Sequence, residues 1–264
     1  MKILHIINKL STGGAQSLVA ELAIGQMMNG DEVSILELMP SPDDILRKRV
    51  TAVGVVMHTL HPIGNVYNPL VTFSIIPYLK GYDIIHVHLF PAQYWVAFAK
   101  LLSFSKAHIV TTEHSTNNKR RNGKFWGFVD RFVYNRYDKI IACADKALEL
   151  FQKQYPTLDS CFVPNGVDTS KYWNAESYPK SEFSMNEEDF MVTMIARFDY
   201  PKRQDTIIEA IAKLPKNFHA VFAGGVPKKP NAIKCVELAN SLGIADRVHF
   251  LYVRSDVPRI LKTS

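Results

Sequence analysis

Short apolar runs alternate with amphipathic stretches along most of the chain. Strands are predicted at Lys2–Ile7, Glu32–Leu38, Val55–Leu60, Tyr82–His88, His108–His114, Lys139–Cys143 and Ser160–Val163, each a β-branched or aromatic run bounded by polar residues. Helical periodicity fills the gaps, most clearly where Ala15, Leu18, Val19, Leu22, Ala23 and Met27 share one face. Pro164-Asn165-Gly166 ends this series, and the polar, weakly patterned stretch from Asp168 to Asp189 reads as a connection. A second series follows: strand near 191–196, helix 202–214, strand 218–223, helix 229–242, strand 247–252 and helix 256–262. Strand–helix alternation predicts an α/β protein with doubly wound parallel sheets, in domains spanning 1–166 and 167–264. In such sheets ligands bind beyond the carboxyl ends of the strands.

The second series reaches only three strands by Ser264, so the expectation is an incomplete C-terminal domain with an open sheet edge. Two domains also fit a length of 264 residues. No run of about 18 apolar residues predicts a membrane span, and the N-terminus reads as a first strand rather than a signal peptide. Cys143, Cys161 and Cys235 are far apart and form no CxxC pair, which argues against a disulfide framework or a zinc site of that kind. A cytoplasmic protein is the expectation.

The net charge of +6 admits acidic partners. Nucleic acid is disfavoured, because no zinc-finger or RRM-type signature appears. Phosphorylated small molecules and anionic lipid fit better. Lys119, Arg120, Arg121 and Lys124, followed by Phe125, Trp126 and Phe128, suit either a membrane interface or a solvated loop leading into a core-facing helix.

Within 190–214, Pro201 suits a first helical position and would put Lys202 and Arg203 in the first turn. A helix N-terminus carries roughly half a positive charge, so cations there are unfavourable unless an anion lies between. Arg197 and Lys202 therefore read as a phosphate or diphosphate clamp, or else as a solvated basic loop. Gly13-Gly14-Ala15 lies between the first strand and first helix, a tight turn where backbone could approach a ligand. GxGxxG spacing is absent, so an NAD site is disfavoured. His86 and His88 project to one sheet face, yet no further His or carboxylate has metal-site spacing, so polar packing or substrate contact is preferred. His114 closes Ile109–Glu113 at a strand's carboxyl end, where it could donate to a sugar hydroxyl or be held by its own backbone. Serine-hydrolase, protein-kinase and GxxxxGK[ST] signatures are absent.

Gly13-Gly14-Ala15-Gln16, Asp83-Ile84-Ile85-His86-Val87-His88, Thr111-Thr112-Glu113-His114 and Pro164-Asn165-Gly166-Val167-Asp168 occur in that order. Ala196-Arg197-Phe198 with Lys202, Phe222-Ala223-Gly224-Gly225 and Val248-His249-Phe250-Leu251 follow. Together they make the chain resemble the retaining GT-B glycosyltransferases of family 4, across essentially its whole length. The resemblance implies two Rossmann-like domains facing a cleft and a nucleotide-sugar donor. It implies that Arg197 and Lys202 bind diphosphate, that Gly14, with Gly13, approaches donor phosphate and sugar, and that His114 contacts the transferred sugar. Tyr252 and Val253 would form the wall against the nucleotide base. No metal or other cofactor is implied, because the two cations replace a divalent ion. The acceptor would be a glycan or a lipid-linked molecule, which places the protein in the cytoplasm, peripheral to the inner face of the membrane through Lys119–Phe128.

The chain departs from the family pattern at three places. Gly224-Gly225-Val226-Pro227 lacks the acidic residue of Gly-Asp-Gly-Pro, and Tyr252 replaces a common glycine. The family's glutamate pair, with its Gly-Phe-Gly neighbourhood, would fall after Ser264. Two other readings stay open: a GT-B-shaped nucleotide-sugar epimerase, and a truncated, non-catalytic nucleotide-binding chain.

Overall fold

Strand β1 (Lys2–Ile7) is buried at every position after Lys2, as is β2 (Glu32–Glu37) after Glu32. Apolar side chains on both faces require cover on both sides, the arrangement of a parallel sheet. The computed structural model describes residues 1–42, 45–62, 64–114 and 124–264 and divides into two units, Met1–Val167 and Asp168–Ser264.

Unit 1 carries seven parallel strands in the order β3-β2-β1-β4-β5-β6-β7. The others are β3 (Val56–Thr59), β4 (Ile84–His88), β5 (His108–Glu113), β6 (Lys139–Ala142) and β7 (Ser160–Phe162). Helices α1 (Gly14–Met28) and α2 (Ile45–Thr51) pack over Ile7, Val33 and Ile35 on one face. The opposite face, with Leu4, Ile6, Leu36, Ile85, Val87 and Ile109, is covered by α3 (Val71–Ile75), α4 (Ala92–Ser103), α5 (Lys124–Tyr134) and α6 (Asp145–Gln154). The order reverses direction at β1, between β2 and β4. That reversal is the switch point beside which open α/β sheets bind ligands.

Unit 2 has a parallel sheet in the order β10-β9-β8. It is built from α7 (Ser170–Trp173), β8 (Phe190–Ile195), α8 (Gln204–Lys213), β9 (Phe218–Ala223), α9 (Pro230–Ser241), β10 (Val248–Tyr252) and α10 (Val257–Thr263). Phe198, Ile208, Ile211, Phe222, Cys235 and Ile244 form its main core.

Two expectations are corrected here. The stretch 168–189 is more than a connection: Phe183 and Met185 are buried with Met191, Val221 and Ile260. The Tyr178 hydroxyl also donates to Asp256 Oδ2 at 2.6 Å, and the Arg259 guanidinium lies 3.9 Å over the Tyr178 ring. The anchors are irregularly spaced, so no periodicity reveals them. Second, α8 begins at Gln204, after a 3-10 turn at Tyr200–Lys202 and a left-handed Arg203 with φ of 55°. Lys202 and Arg203 therefore precede the helix, and its first turn holds Asp205. Pro201 is the second residue of that short turn instead.

α5 is held partly by a buried carboxyl. Asp130 has no exposed surface and accepts from the Tyr94 and Tyr155 hydroxyls. Burial pushes its pKa up from 3.8 to about 6, against the lowering effect of Tyr155. The folded state thus keeps a proton that the unfolded chain releases, so Asp130 stabilises in acid and that contribution is lost as pH rises toward 6. Asp130→Asn removes this titration. The stability of the variant minus that of wild type should grow by about 2 kcal/mol between about pH 4 and 7 and then level off. Urea unfolding at several pH values reads the difference, in which effects of other groups cancel. Parallel stability curves would mean that Asp130 is ionised throughout.

Candidate functional site

In unit 2 the chain leaves β8 through Ala196-Arg197-Phe198-Asp199, beside the Gly224-Gly225 turn that follows β9. Gly224 has φ of +115°, and a Cβ there would lie 2.7 Å from the Ala196 carbonyl oxygen. Gly225 has φ of +72°, and its Cβ would stand 3.1 Å from the Phe198 nitrogen. Only glycine permits this approach of two backbones. The Gly224 N–H also donates to the Tyr252 carbonyl, so the loops after all three strands are tied together.

Arg197 is held by its backbone and only weakly engaged at its tip. Buried Gln204 donates from Nε2 to the Arg197 carbonyl at 2.9 Å. The Arg197 side chain is 70% exposed and lies 3.3 Å from Asp199 Oδ2, an exposed pair worth little in water. Arg203 is committed to Asp205, with Nε 3.0 Å from Oδ1. Lys202 is exposed and has no ion pair among the described residues. The start of α8 has no side-chain cap hydrogen bond. The Asp205 carboxylate instead accepts from backbone N–H groups of this first turn, and the two exposed cations precede the helix near this end of the sheet.

Tyr252 ends β10 with φ of 53°, at a shift in strand register. Its ring lies 6.3 Å from Phe198 and 6.4 Å from Phe250, toward the core. Val253 is 42% exposed. Arg254 beyond it donates from Nε to Asp256 Oδ1 at 2.8 Å, and this partner holds the Asp256 carboxyl well below the usual range.

In unit 1, Gly13 and Gly14 stand where β1 gives way to α1. Gly13 is extended, with φ of 176°, and a Cβ there would meet only the flexible end of Gln16. Gly14 opens the helix with nothing within 4 Å of a Cβ position. α1 has no side-chain cap and no acidic residue in its first turn. The preceding loop is fixed by residues that the sequence patterns did not single out. Glu37, fully buried at the end of β2, accepts from the Leu10 N–H at 3.2 Å, Ser41 Oγ at 2.6 Å, Thr59 Oγ1 at 2.8 Å and Arg47. Asn8 Nδ2 donates to the Phe90 carbonyl at 2.7 Å, and Asn8 Oδ1 accepts from the Ala92 N–H at 3.2 Å. Asn8 therefore links the loops on either side of the switch point.

His86 and His88 share a sheet face, with ring centroids 4.1 Å apart. His5, paired with His86 across β1 and β4, joins them, each ring 5.3 Å from its own. His114 follows β5, its ring 5.8 Å from that of His88. Its Nε2 is buried without a hydrogen-bond partner among the described residues, as is His88 Nδ1. Burial lowers the His114 pKa, against the raising effect of Glu113, which favours the neutral ring with a single N–H to donate. Burial also drives His5 down to about 4 and holds His86 and His88 well below their ordinary value.

On α5, Trp126 is 47% and Phe128 74% exposed, whereas Lys119, Arg120 and Arg121 lie outside the described residues. Among the described residues no helix is long and apolar enough to cross a membrane.

Residues 12–171 match the family pattern described as Glycosyltransferase Family 4, and residues 179–264 that of glycosyl transferases group 1. N-acetyl-alpha-D-glucosaminyl L-malate synthase of Bacillus anthracis is 26% identical over 189 residues, which are 70% of this chain and 49% of that protein. The chain thus spans about half the length of this relative. Among solved structures, Anabaena HepE in complex with UDP and glucose superposes with a TM-score of 0.82 at 19% identity, over 100% of this chain and 72% of its own. A glycosyltransferase of Rickettsia africae superposes with a TM-score of 0.74 at 16% identity, over 98% and 69%. At these identities the superpositions establish the GT-B fold.

The glycines separate by their surroundings. Gly224→Ala should destabilise unit 2 by about 1–3 kcal/mol, through strained φ and the clash with Ala196. Gly14→Ala should change stability by less than about 0.5 kcal/mol, because its Cβ meets open space. Hydrogen exchange of the β8, β9 and α1 amides measures both. Equal costs at the two positions would contradict the contrast.

Proposed function

The chain belongs to glycosyltransferase family 4, and from that premise we propose that it binds a nucleoside-diphosphate sugar and transfers the sugar to a hydroxyl acceptor with retention at the anomeric carbon. The observation that carries this reading is the exposed pair Arg197 and Lys202, set beside the glycine turn at the carboxyl end of the unit 2 sheet. In the reaction the bond between the anomeric carbon and the diphosphate oxygen breaks. The acceptor oxygen bonds to that carbon on the face the diphosphate leaves, and its proton passes to a departing phosphate oxygen.

Charge develops on the diphosphate as it leaves, and fixed cations and N–H donors stabilise it without reorganising. Arg197 and Lys202 take that role in unit 2, so the step needs no metal ion. The Tyr252–Val253 segment borders the nucleotide base, with backbone rather than the inward Tyr252 ring offered to it. In unit 1 the neutral His114 ring donates to a hydroxyl of the transferred sugar, and the open N-terminus of α1 at Gly13-Gly14 faces donor oxygens. UDP in Anabaena HepE makes it the first nucleotide to try.

Calorimetry with UDP tests the clamp. Arg197→Ala or Lys202→Ala should each weaken binding by about 1.5–3 kcal/mol, the range for a charge-assisted hydrogen bond. Unchanged affinity in both variants would remove the clamp. His114→Ala should lower turnover far more than UDP affinity, and transfer at the wild-type rate would refute its role.

The acceptor we propose is a glycan or lipid-linked molecule at the inner membrane face. Trp126 and Phe128 are exposed, and in the sequence they follow the basic residues 119–121 and 124, a combination that supports an interfacial position. Vesicles containing anionic lipid should bind the protein reversibly, less so as salt rises. Replacing Lys119, Arg120, Arg121 and Lys124 with Ser should abolish sedimentation with them. Binding that survives those replacements would place the contact elsewhere.

A further inference from the structure

We infer that His5, His86 and His88 form a binding site for a zinc-class divalent metal ion within unit 1, separate from the residues proposed to act on the donor. One nitrogen from each ring lies within 4.8 Å of the other two. His5 Nδ1 and His88 Nε2 are already 3.1 Å apart. Two ligands at about 2.1 Å from a tetrahedral zinc ion stand roughly 3.4 Å apart, so the His5–His88 pair is already near that spacing and His86 would close in on it.

The surroundings match what such ligands need. A metal-bound histidine usually directs its other nitrogen to an outer acceptor that fixes tautomer and orientation. His5 Nε2 lies 2.7 Å from Gln26 Oε1 on α1, and His86 Nε2 lies 2.7 Å from Thr112 Oγ1 on β5. With its Nε2 proton given to Gln26, His5 presents a lone pair at Nδ1 toward His88. In the metal-free chain His88 answers by donating from Nε2, which leaves its buried Nδ1 with a lone pair and no partner among the described residues. That orphaned nitrogen carries the cost of an unsatisfied buried polar atom. With a metal, His88 Nε2 becomes a ligand and the proton moves to Nδ1, on a ring whose centroid lies 5.8 Å from that of His114.

Three imidazoles suit zinc, nickel or cobalt and discriminate against magnesium and calcium, which prefer oxygen. A water completes the coordination, and its loss of a proton would lower the charge to be buried. The ion would clasp β1 to β4 at the switch point. No part of this depends on the glycosyltransferase reading.

The test uses the 264-residue chain stripped of metal with a chelator. Calorimetry should show one Zn²⁺ bound per chain at micromolar or tighter Kd, with a raised Tm and no effect of Mg²⁺. Co²⁺ should give the intense visible bands of a tetrahedral site. His5→Gln with His88→Gln should weaken Zn²⁺ binding at least tenfold, while His219→Gln, at the other histidine pair in unit 2, should not. If the double variant fails to fold, X-ray absorption at the zinc edge of the wild-type chain decides: imidazole nitrogens at about 2.0–2.1 Å support the site. Sulfur or oxygen-only ligation, no binding at 10-fold excess Zn²⁺ over about 10 μM protein, or full binding in the double variant would overturn it.

Discussion

Because β1 pairs with β2 on one side and with β4 on the other, the chain leaving β1 and the chain leaving β4 turn toward opposite faces of the same sheet. Such a reversal leaves a crevice at the carboxyl edge of an open α/β sheet, and the loops after β1 and β4 border it. Glu37 and Asn8 meet the polar demands of the loops that border the crevice. The histidines line one side of the same boundary, where β1 and β4 run in register. A buried carboxylate, a bridging amide and a cluster of neutral imidazoles are each costly alone. They persist because each has partners supplied by a neighbouring strand or helix.

Unit 2 reaches the same kind of edge by different means. Its loops are drawn together by backbone contact, with Gly224 against Ala196 and Tyr252, and a side-chain amide from Gln204 fixes the carbonyl of Arg197. The two cations are anchored at their base and loose at their tips. Such a group can be ordered by an anion without first breaking a strong internal pair.

Strand positions were legible because parallel strands buried on two faces read as continuous apolar runs. His114, Arg197 and Lys202 follow such runs, which is what drew attention to them as candidates. The start of α8 was not, because a proline followed by a left-handed Arg203 imitates a helical first turn in sequence. His5 was missed because it lies 81 positions before His86 and only strand pairing brings them together. Glu37 and Asp130 look like ordinary charged residues of a strand and a helix, and their burial depends on partners from distant segments. The aromatics of α5 carried two readings, and the exposure of Trp126 and Phe128 favours the outward one.

The carboxylate of Glu37 binds together residues that are far apart along the chain: Leu10 in the loop before α1, Ser41, Arg47 on α2 and Thr59 at the end of β3. Arg47 also donates to Thr59 Oγ1 at 2.7 Å, which closes a ring of three side chains. Changes at positions 37, 47 and 59 are therefore not independent. Losing any one takes a partner from each of the other two, so the second loss costs less than the first. Drift at these sites is constrained to joint replacement, and a lineage that abandons the carboxylate must find another anchor for the Leu10 loop.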